Sequence, residues 1–265
     1  MNSAQIVAAR PLHSMSPASE WTTLTNLRSY HYVATGPEDA PTLLFLHGYA
    51  DSWRGAEAMM PHLQAHFRVF ALDQRGHGAS DSDFDRFSIE DFARDAIDFI
   101  ESVIGGPVTL VGHSLGSLVA QRVAHQARDL VNRLVLIGSA DTSGGNPVLI
   151  DLKHAVAARD SEAALDFASL FQNKGFAEAL QARPIVAQKV ATTLADDDQV
   201  VAGRIRVPAL ILWGDQDAVF DLYAQRRLQG LLQQSKLTVY PETGHAPNRE
   251  IPETVARDII LFSLQ

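Results

Sequence analysis

The stretch Val108–Ala124 constrains this chain more than any other. A largely apolar run, Val108–Val111, leads into Gly112-His113-Ser114-Leu115-Gly116, and a helix-like run, Leu115–Ala124, leads out. A serine between a strand and a helix sits on a sharp turn. Such a turn is too crowded for side chains on its flanks, which is why glycine stands two residues to either side of Ser114. The result is a hydroxyl raised at the rim of a sheet, placed to attack a carbonyl.

The rest of the chain supplies the sheet. Trp21–Thr25 and Arg28–Ala34 read as two short strands around Asn26. Thr42–His47, Phe67–Asp73, Val108–His113, Arg133–Ile137, Pro208–Trp213 and Leu237–Tyr240 read as further strands. Helical stretches fall between them at Gly55–His66, Ile89–Val103, Leu115–Ala127 and Leu222–Leu232, with a last helix from Pro252. In Ile89–Val103 the residues Ile89, Phe92, Ala93, Ala96, Ile97 and Ile100 share one face. Strands alternating with helices imply an α/β protein, with a mostly parallel central sheet of about eight strands covered on both faces. Between about Asp141 and Arg204 the strand signal disappears and the chain becomes alanine-rich and helical. That block reads as a helical cap, or lid, inserted after the sixth strand. The expected organisation is a loosely ordered polar leader over 1–20, a core over 21–141 and 205–265, and a cap over 142–204.

Composition excludes several classes. Of 265 residues, 46% are apolar, enough for a substantial core, and the formal net charge is −9. An acidic balance argues against nucleic acid, because phosphate binding needs clustered Lys and Arg. With no cysteine, disulfides, thiolate nucleophiles and cysteine-based zinc sites are excluded. Residues 1–20 do not read as a signal peptide, and no apolar run approaches the ~20 residues that span a bilayer. The reading is a soluble, cytoplasmic protein with no membrane partner; its oligomeric state is not legible.

A serine hydroxyl is a poor nucleophile until a base takes its proton, and a histidine base needs an anion to fix its tautomer. Of ten histidines, His245 stands in Pro241-Glu-Thr-Gly-His-Ala-Pro, just after a strand and before the final helix. Acids are offered by Asp215 and Asp217 after strand 208–213, and by Asp141 after strand 133–137. His47 is also within reach by sequence. His77 and His113 read as hydrogen-bonded packing residues, and Arg75 as a charged tie for its glycine-rich loop. Asp196–Asp198 read as a solvated lid edge or helix end; three adjacent carboxylates on a helix diverge and cannot converge on one ion. Phe167, Phe171 and Phe176 have two readings, pocket lining or ordinary packing between lid and sheet.

These motifs together resemble the α/β-hydrolase superfamily, in its capped members with a serine nucleophile. Gly214-x-x-Asp217, Gly244-His245, Glu250-x-Pro252, His47-Gly48 and Asp73-x-Arg-Gly-x-Gly-x-Ser80 match the family's patterns in order, over residues 21–141 and 205–262. The resemblance implies a triad of Ser114, Asp217 and His245. It also implies an oxyanion hole from the backbone N–H groups of Tyr49 and Leu115. Because the amide survives a side-chain change, Tyr49 is expected to tolerate substitution. His47, His113, Phe167 and Phe171 are the expected substrate-binding residues.

The implied activity is cleavage of a small-molecule carboxylic ester through an acyl-enzyme, with no metal and no cofactor. Carbon–carbon bond hydrolases, lactonases, thioesterases and perhydrolases share the framework. Dehalogenases and epoxide hydrolases are disfavoured, because those families carry aspartate where Ser114 stands. A small-ligand receptor with little turnover is the alternative of another class. The apolar, alanine-rich lid points to a modest apolar acyl or alkyl group.

Overall fold

The computed structural model describes residues 17–265. The leader expected over 1–20 lies mostly outside the described residues, and where it does not it is corrected. Ala18–Glu20 open strand β1 (Ala18–Thr23), which pairs antiparallel with β2 (Ser29–Thr35). Its polar side chains look like a solvated tail in sequence but have partners on β2. Ser19 Oγ lies 2.7 Å from His31 Nε2, and Glu20 accepts from the Tyr32 hydroxyl at 2.7 Å.

The remaining strands are β3 (Thr42–Leu46), β4 (Arg68–Leu72), β5 (Val108–His113), β6 (Val131–Ile137), β7 (Ala209–Gly214) and β8 (Ser235–Tyr240). They lie in the order β1-β2-β4-β3-β5-β6-β7-β8, with β3 to β8 parallel and β2 antiparallel to β4. The central strands are buried on both faces, so they read as continuous apolar runs. Along β5, Leu110 joins the core on one face and Val111 the core on the other.

The crossovers carry α1 (Arg54–Glu57), α2 (Met60–Leu63), α3 (Ile89–Phe99) and α4 (Leu115–Gln126). The single helix expected over 55–66 is therefore two short ones. Pro61 lacks the N–H that a continuous helix would need, and α2 restarts with that proline in its first turn. The helix expected to reach Val103 stays α-helical only to Phe99. It widens into a π-turn over Ile100–Ile104 and stops at Gly105, whose φ of 74° suits glycine.

Four helices stand between β6 and β7: α5 (Pro147–Ala158), α6 (Ser161–Leu170), α7 (Phe176–Ala182) and α8 (Pro184–Asp196). The insertion is fixed at both of its chain ends. Asn146 donates to Val219 O at 2.8 Å, and the buried Arg122 of α4 donates to Asp197 at 2.9 Å and to Gln199 O at 2.8 Å. Asp197 is thus a correction to the solvated lid edge. Its side chain is buried against Arg122, while Asp196 pairs outward with Lys153. The chain closes with α9 (Leu222–Leu231), α10 (Pro247–Glu250) and α11 (Pro252–Ser263). None of the described helices is long and apolar enough to cross a membrane.

A buried polar hub lies under the loops that follow β3 and β4. Asp73 accepts from Trp53 N at 2.6 Å, from Ala79 N at 2.9 Å and from His31 Nδ1 at 2.8 Å. A Cβ on Gly78 would stand 2.1 Å from Asp73 Oδ2, and the φ of 51° there also favours glycine. Beside it Arg75 donates to both oxygens of Asp95, at 2.5 and 2.6 Å, and to Arg86 O at 2.9 Å, as the tie read from sequence. His77 donates to Arg75 O at 2.8 Å and lies 5.2 Å, ring to ring, from His47.

Burial, and secondarily the neighbouring His47, pull the His77 pKa down to about 3. The folded state therefore keeps His77 neutral where the unfolded chain, near ~6.5, binds a proton. This contribution is intact above pH ~6.5 and is lost as pH falls through the window toward 3, by up to ~1.4 kcal/mol per pH unit. Denaturant unfolding between pH 7 and 4 should show a shallower loss of stability for His77→Gln than for the parent chain.

Candidate active site

Ser114 occupies the turn between β5 and α4 with φ 51° and ψ −117°. That conformation is strained for a side chain, at ~1–3 kcal/mol, and persists only where its surroundings enforce it. Here the enforcement is steric. A Cβ on Gly112 would meet Gly116 O at 2.2 Å, and one on Gly116 would meet Leu46 O at 2.1 Å. The strand and helix thus approach to backbone contact, and the residue between them is forced outward.

His245 reaches this point from the loop after β8. Glu250 pins that loop on both sides, accepting from Gly244 N at 2.9 Å and from Ala246 N at 3.2 Å. Gly138, at the end of β6, passes so close beneath that a Cβ there would stand 2.6 Å from His245 O. His245 Nε2 lies 3.0 Å from Ser114 Oγ, and Nδ1 lies 3.0 Å from each oxygen of Asp217. The side chains of His245 and Asp217 are both 0% exposed. Asp217 Oδ1 also accepts from Val219 N at 2.8 Å and Phe220 N at 3.1 Å, which fixes the carboxylate before any ring meets it. The rival acids are elsewhere: Asp215 is exposed, and Asp141 pairs with Arg227 at 2.9 Å.

The loop after β3 crosses over the same point. A Cβ on Gly48 would lie 3.4 Å from Ser114 Cβ, so the next amide, that of Tyr49, is brought close to the hydroxyl. Leu115 is the first residue of α4, where amides have no intrahelical acceptor. Among the described residues neither amide donates to a protein acceptor. The Tyr49 side chain departs from expectation. It is buried, its hydroxyl donates to Ala187 O of α8 at 2.9 Å, and its ring meets Phe176 edge-on at 5.6 Å. Burial holds that hydroxyl well above the ordinary tyrosine pKa, so it stays a donor. The residue is a clasp between loop and insertion and is not freely replaceable. Asn173 provides a second clasp, donating to Ala50 O at 3.0 Å.

The four residues expected to bind substrate divide. Phe171 faces a narrow crevice over Ser114, with Tyr49, His113, Leu149 and Leu194, and its ring is 5.5 Å from that of His245. His113 also faces the crevice but is committed to structure, donating through Nε2 to His245 O at 3.1 Å. Burial, then the neighbouring His245, lower its pKa well below the ordinary histidine value and keep it neutral. His47 does not reach the crevice. It is fully buried, with Nδ1 donating to Gly48 O at 2.7 Å and Nε2 accepting from Gln74 N at 3.1 Å. Phe167 stands behind Phe171, stacked on it at 6.1 Å and 19°. The roles of Glu250, Asp73 and Asn173 escaped the sequence reading; only the motif positions of Glu250 and Asp73 marked them.

Known proteins resemble the chain in sequence and in fold. A bifunctional esterase/perhydrolase of Acinetobacter calcoaceticus is 29% identical over 263 residues, covering 87% of this chain and 94% of that protein. Epoxide hydrolase 1 of Caenorhabditis elegans is 36% identical over 107 residues, 40% of this chain; the match spans about a quarter (26%) of that protein's length. The solved structure of an esterase from Exiguobacterium antarcticum superposes with a TM-score of 0.85, covering 94% of this chain and 100% of that one at 18% identity, a likeness of fold. The alpha/beta hydrolase family model matches residues 43–258, a span that takes in β3 to β8 together with Ser114, Asp217 and His245, and the chain belongs to that family.

Proposed function

We propose that this protein hydrolyses carboxylic esters through an acyl-enzyme on Ser114. The reading rests on one observation, the continuous hydrogen-bonded relay from Ser114 Oγ through both nitrogens of His245 to Asp217. With Nδ1–H donated to the carboxylate, Nε2 keeps the lone pair that accepts the serine proton. As Oγ bonds to the acyl carbon, its proton passes to Nε2 and the carbonyl π pair moves onto oxygen. The Tyr49 and Leu115 amides receive that oxyanion, each worth about 3 kcal/mol of transition-state stabilisation. The partial positive charge at the start of α4 adds to it. Asp217 stays ionised and stabilises the imidazolium. When the oxyanion collapses, the bond to the alcohol oxygen breaks and Nε2–H protonates the leaving alkoxide. Water then gives a proton to Nε2 and its oxygen to the acyl carbon. Oγ departs, takes the proton back and frees the acid.

The close match in length to an esterase/perhydrolase supports this choice. Epoxide opening through an alkyl-enzyme calls for a carboxylate at the position that holds Ser114.

Ser114→Ala should abolish turnover of p-nitrophenyl acetate while leaving the circular dichroism spectrum and melting temperature near those of the parent. Asp217→Asn should lower kcat by about 10⁴-fold through the wrong histidine tautomer, whereas Asp141→Asn should change it less than severalfold; the reverse ranking would reassign the acid. A stoichiometric burst of nitrophenol with no steady-state turnover would instead favour a small-ligand receptor. Tyr49→Phe should cost ~1–2 kcal/mol in unfolding free energy, because Ala187 O loses its buried donor.

A further inference from the structure

The crevice over Ser114 is narrow; one larger cavity adjoins it, and another lies behind Phe167, which stacks on Phe171 of the crevice. One, of about 460 Å³, lies along the seam between insertion and core. It shares Tyr49, Asp51 and Asn173 with the crevice, and its walls carry Arg54, Glu57, Lys174, Arg183 and Arg249. The other, of about 250 Å³, lies among the insertion helices themselves. Its interior is apolar, with Leu152, Val156, Ala164, Phe167, Ala177 and Leu180, and its polar residues Arg159, Asp160, Ser161 and Gln181 are all exposed. The stacked pair of rings stands between this cavity and the relay. Phe167 lines the cavity, Phe171 lines the crevice, and Phe171 is next to His245.

We propose that the cavity among α5, α6 and α7 receives an unbranched hydrocarbon arm of the substrate, and that Phe167 and Phe171 are the gate through which the arm passes from Ser114. This rests on the ester-hydrolase reading for its substrate. The volume lies just below the ~300–1,000 Å³ usual for small-molecule sites, which suits a chain better than a fused ring system. The seam cavity carries charged side chains beside apolar ones such as Val186 and Ala187, and it is the competing seat for the arm, which substitutions confined to the insertion cavity leave untouched. Of the two rings, Phe167 has the greater freedom to move. Phe167 is only half-buried, and among the described residues no side-chain hydrogen bond or ion pair joins α6 to the sheet. Phe171, at the end of α6, is buried, its ring packed against Phe167, against Phe176 at 5.0 Å and against His245.

The arm belongs either to the acid or to the alcohol, and two substrate series separate them. One is p-nitrophenyl esters from acetyl to decanoyl; the other is acetyl esters of primary alcohols from methyl to decyl, followed by pH-stat. In one series kcat/KM should climb with chain length, by up to about fourfold per methylene while the cavity fills. Ala164→Trp and Ala155→Phe place a ring in the cavity from two different helices. Each should lower the long-to-short ratio of kcat/KM in that series at least tenfold, and Phe167→Ala should raise it. Melting temperatures identify any variant that fails to fold, and the other two then carry the test. A ratio that none of the folded variants moves, in either series, overturns the proposal while leaving ester hydrolysis intact. Binding of decanol to Ser114→Ala protein, by calorimetry, reads the cavity without turnover. Weakening of at least tenfold on adding Ala164→Trp or Ala155→Phe supports the site even if no ester is cleaved, and equal affinity overturns it.

Discussion

Everything in the site depends on backbone contact between β5, α4 and β3 around one residue. Gly112 and Gly116 allow the strand and the helix to meet without intervening side chains, and the only conformation left for Ser114 is the strained one. Three consequences follow from that single packing event. The hydroxyl is pushed out beyond the sheet edge. The first amide of α4 is left without an acceptor and points the same way. The end of β3 is drawn in, which carries the Gly48–Tyr49 amide to the same side. The raised hydroxyl and the two amides proposed to receive an oxyanion therefore trace back to one local constraint.

His245 and Asp217 are held by a different device. Glu250 braces the His245 loop by two backbone amides, and Asp217 is fixed by two more before it meets the ring. The Asp217 carboxylate is thus oriented by backbone donors, which do not rotate away as side-chain partners can, and it in turn orients the His245 ring. Under the oxyanion loop the same logic recurs in Asp73, whose oxygens are shared among three segments. The cost is a set of buried polar groups that must all be satisfied at once. Its benefit is a fixed geometry, in which the Ser114–His245–Asp217 relay stands formed in the unliganded fold.

How much of this was legible in sequence depended on whether the signal was local. The elbow, the strand–helix alternation and the Gly-x-x-Asp and Gly-His positions are short patterns, and the relay formed from them. The break at Pro61 is legible too, as a proline set inside otherwise helical spacing. Ala18–Glu20 were missed because their order comes from β2, not from their own composition. Asp197 was read as solvated because a run of three acids looks like surface; Arg122, seventy-five positions away, is what buries it. The Tyr49 clasp was invisible for the same reason. Its backbone role is set by neighbours in sequence, its side-chain role by Ala187, which only the folded insertion brings near. Side-chain contacts between distant segments are tertiary facts, and no local periodicity encodes them.

The insertion is hung unevenly. α8 is stitched to the core along its length, by Arg183 to Ser80 O, Ala187 O from Tyr49, Lys189 to Asp85 O and Thr193 to Phe87 O. α6 contributes no such stitch among the described residues. The tethering is therefore lopsided, with α8 as the fixed jamb and α6 left without a polar tie to the core among the described residues. Any loosening of the insertion would thus be resisted at the α8 tethers, Tyr49 among them, and met at α6 by packing alone.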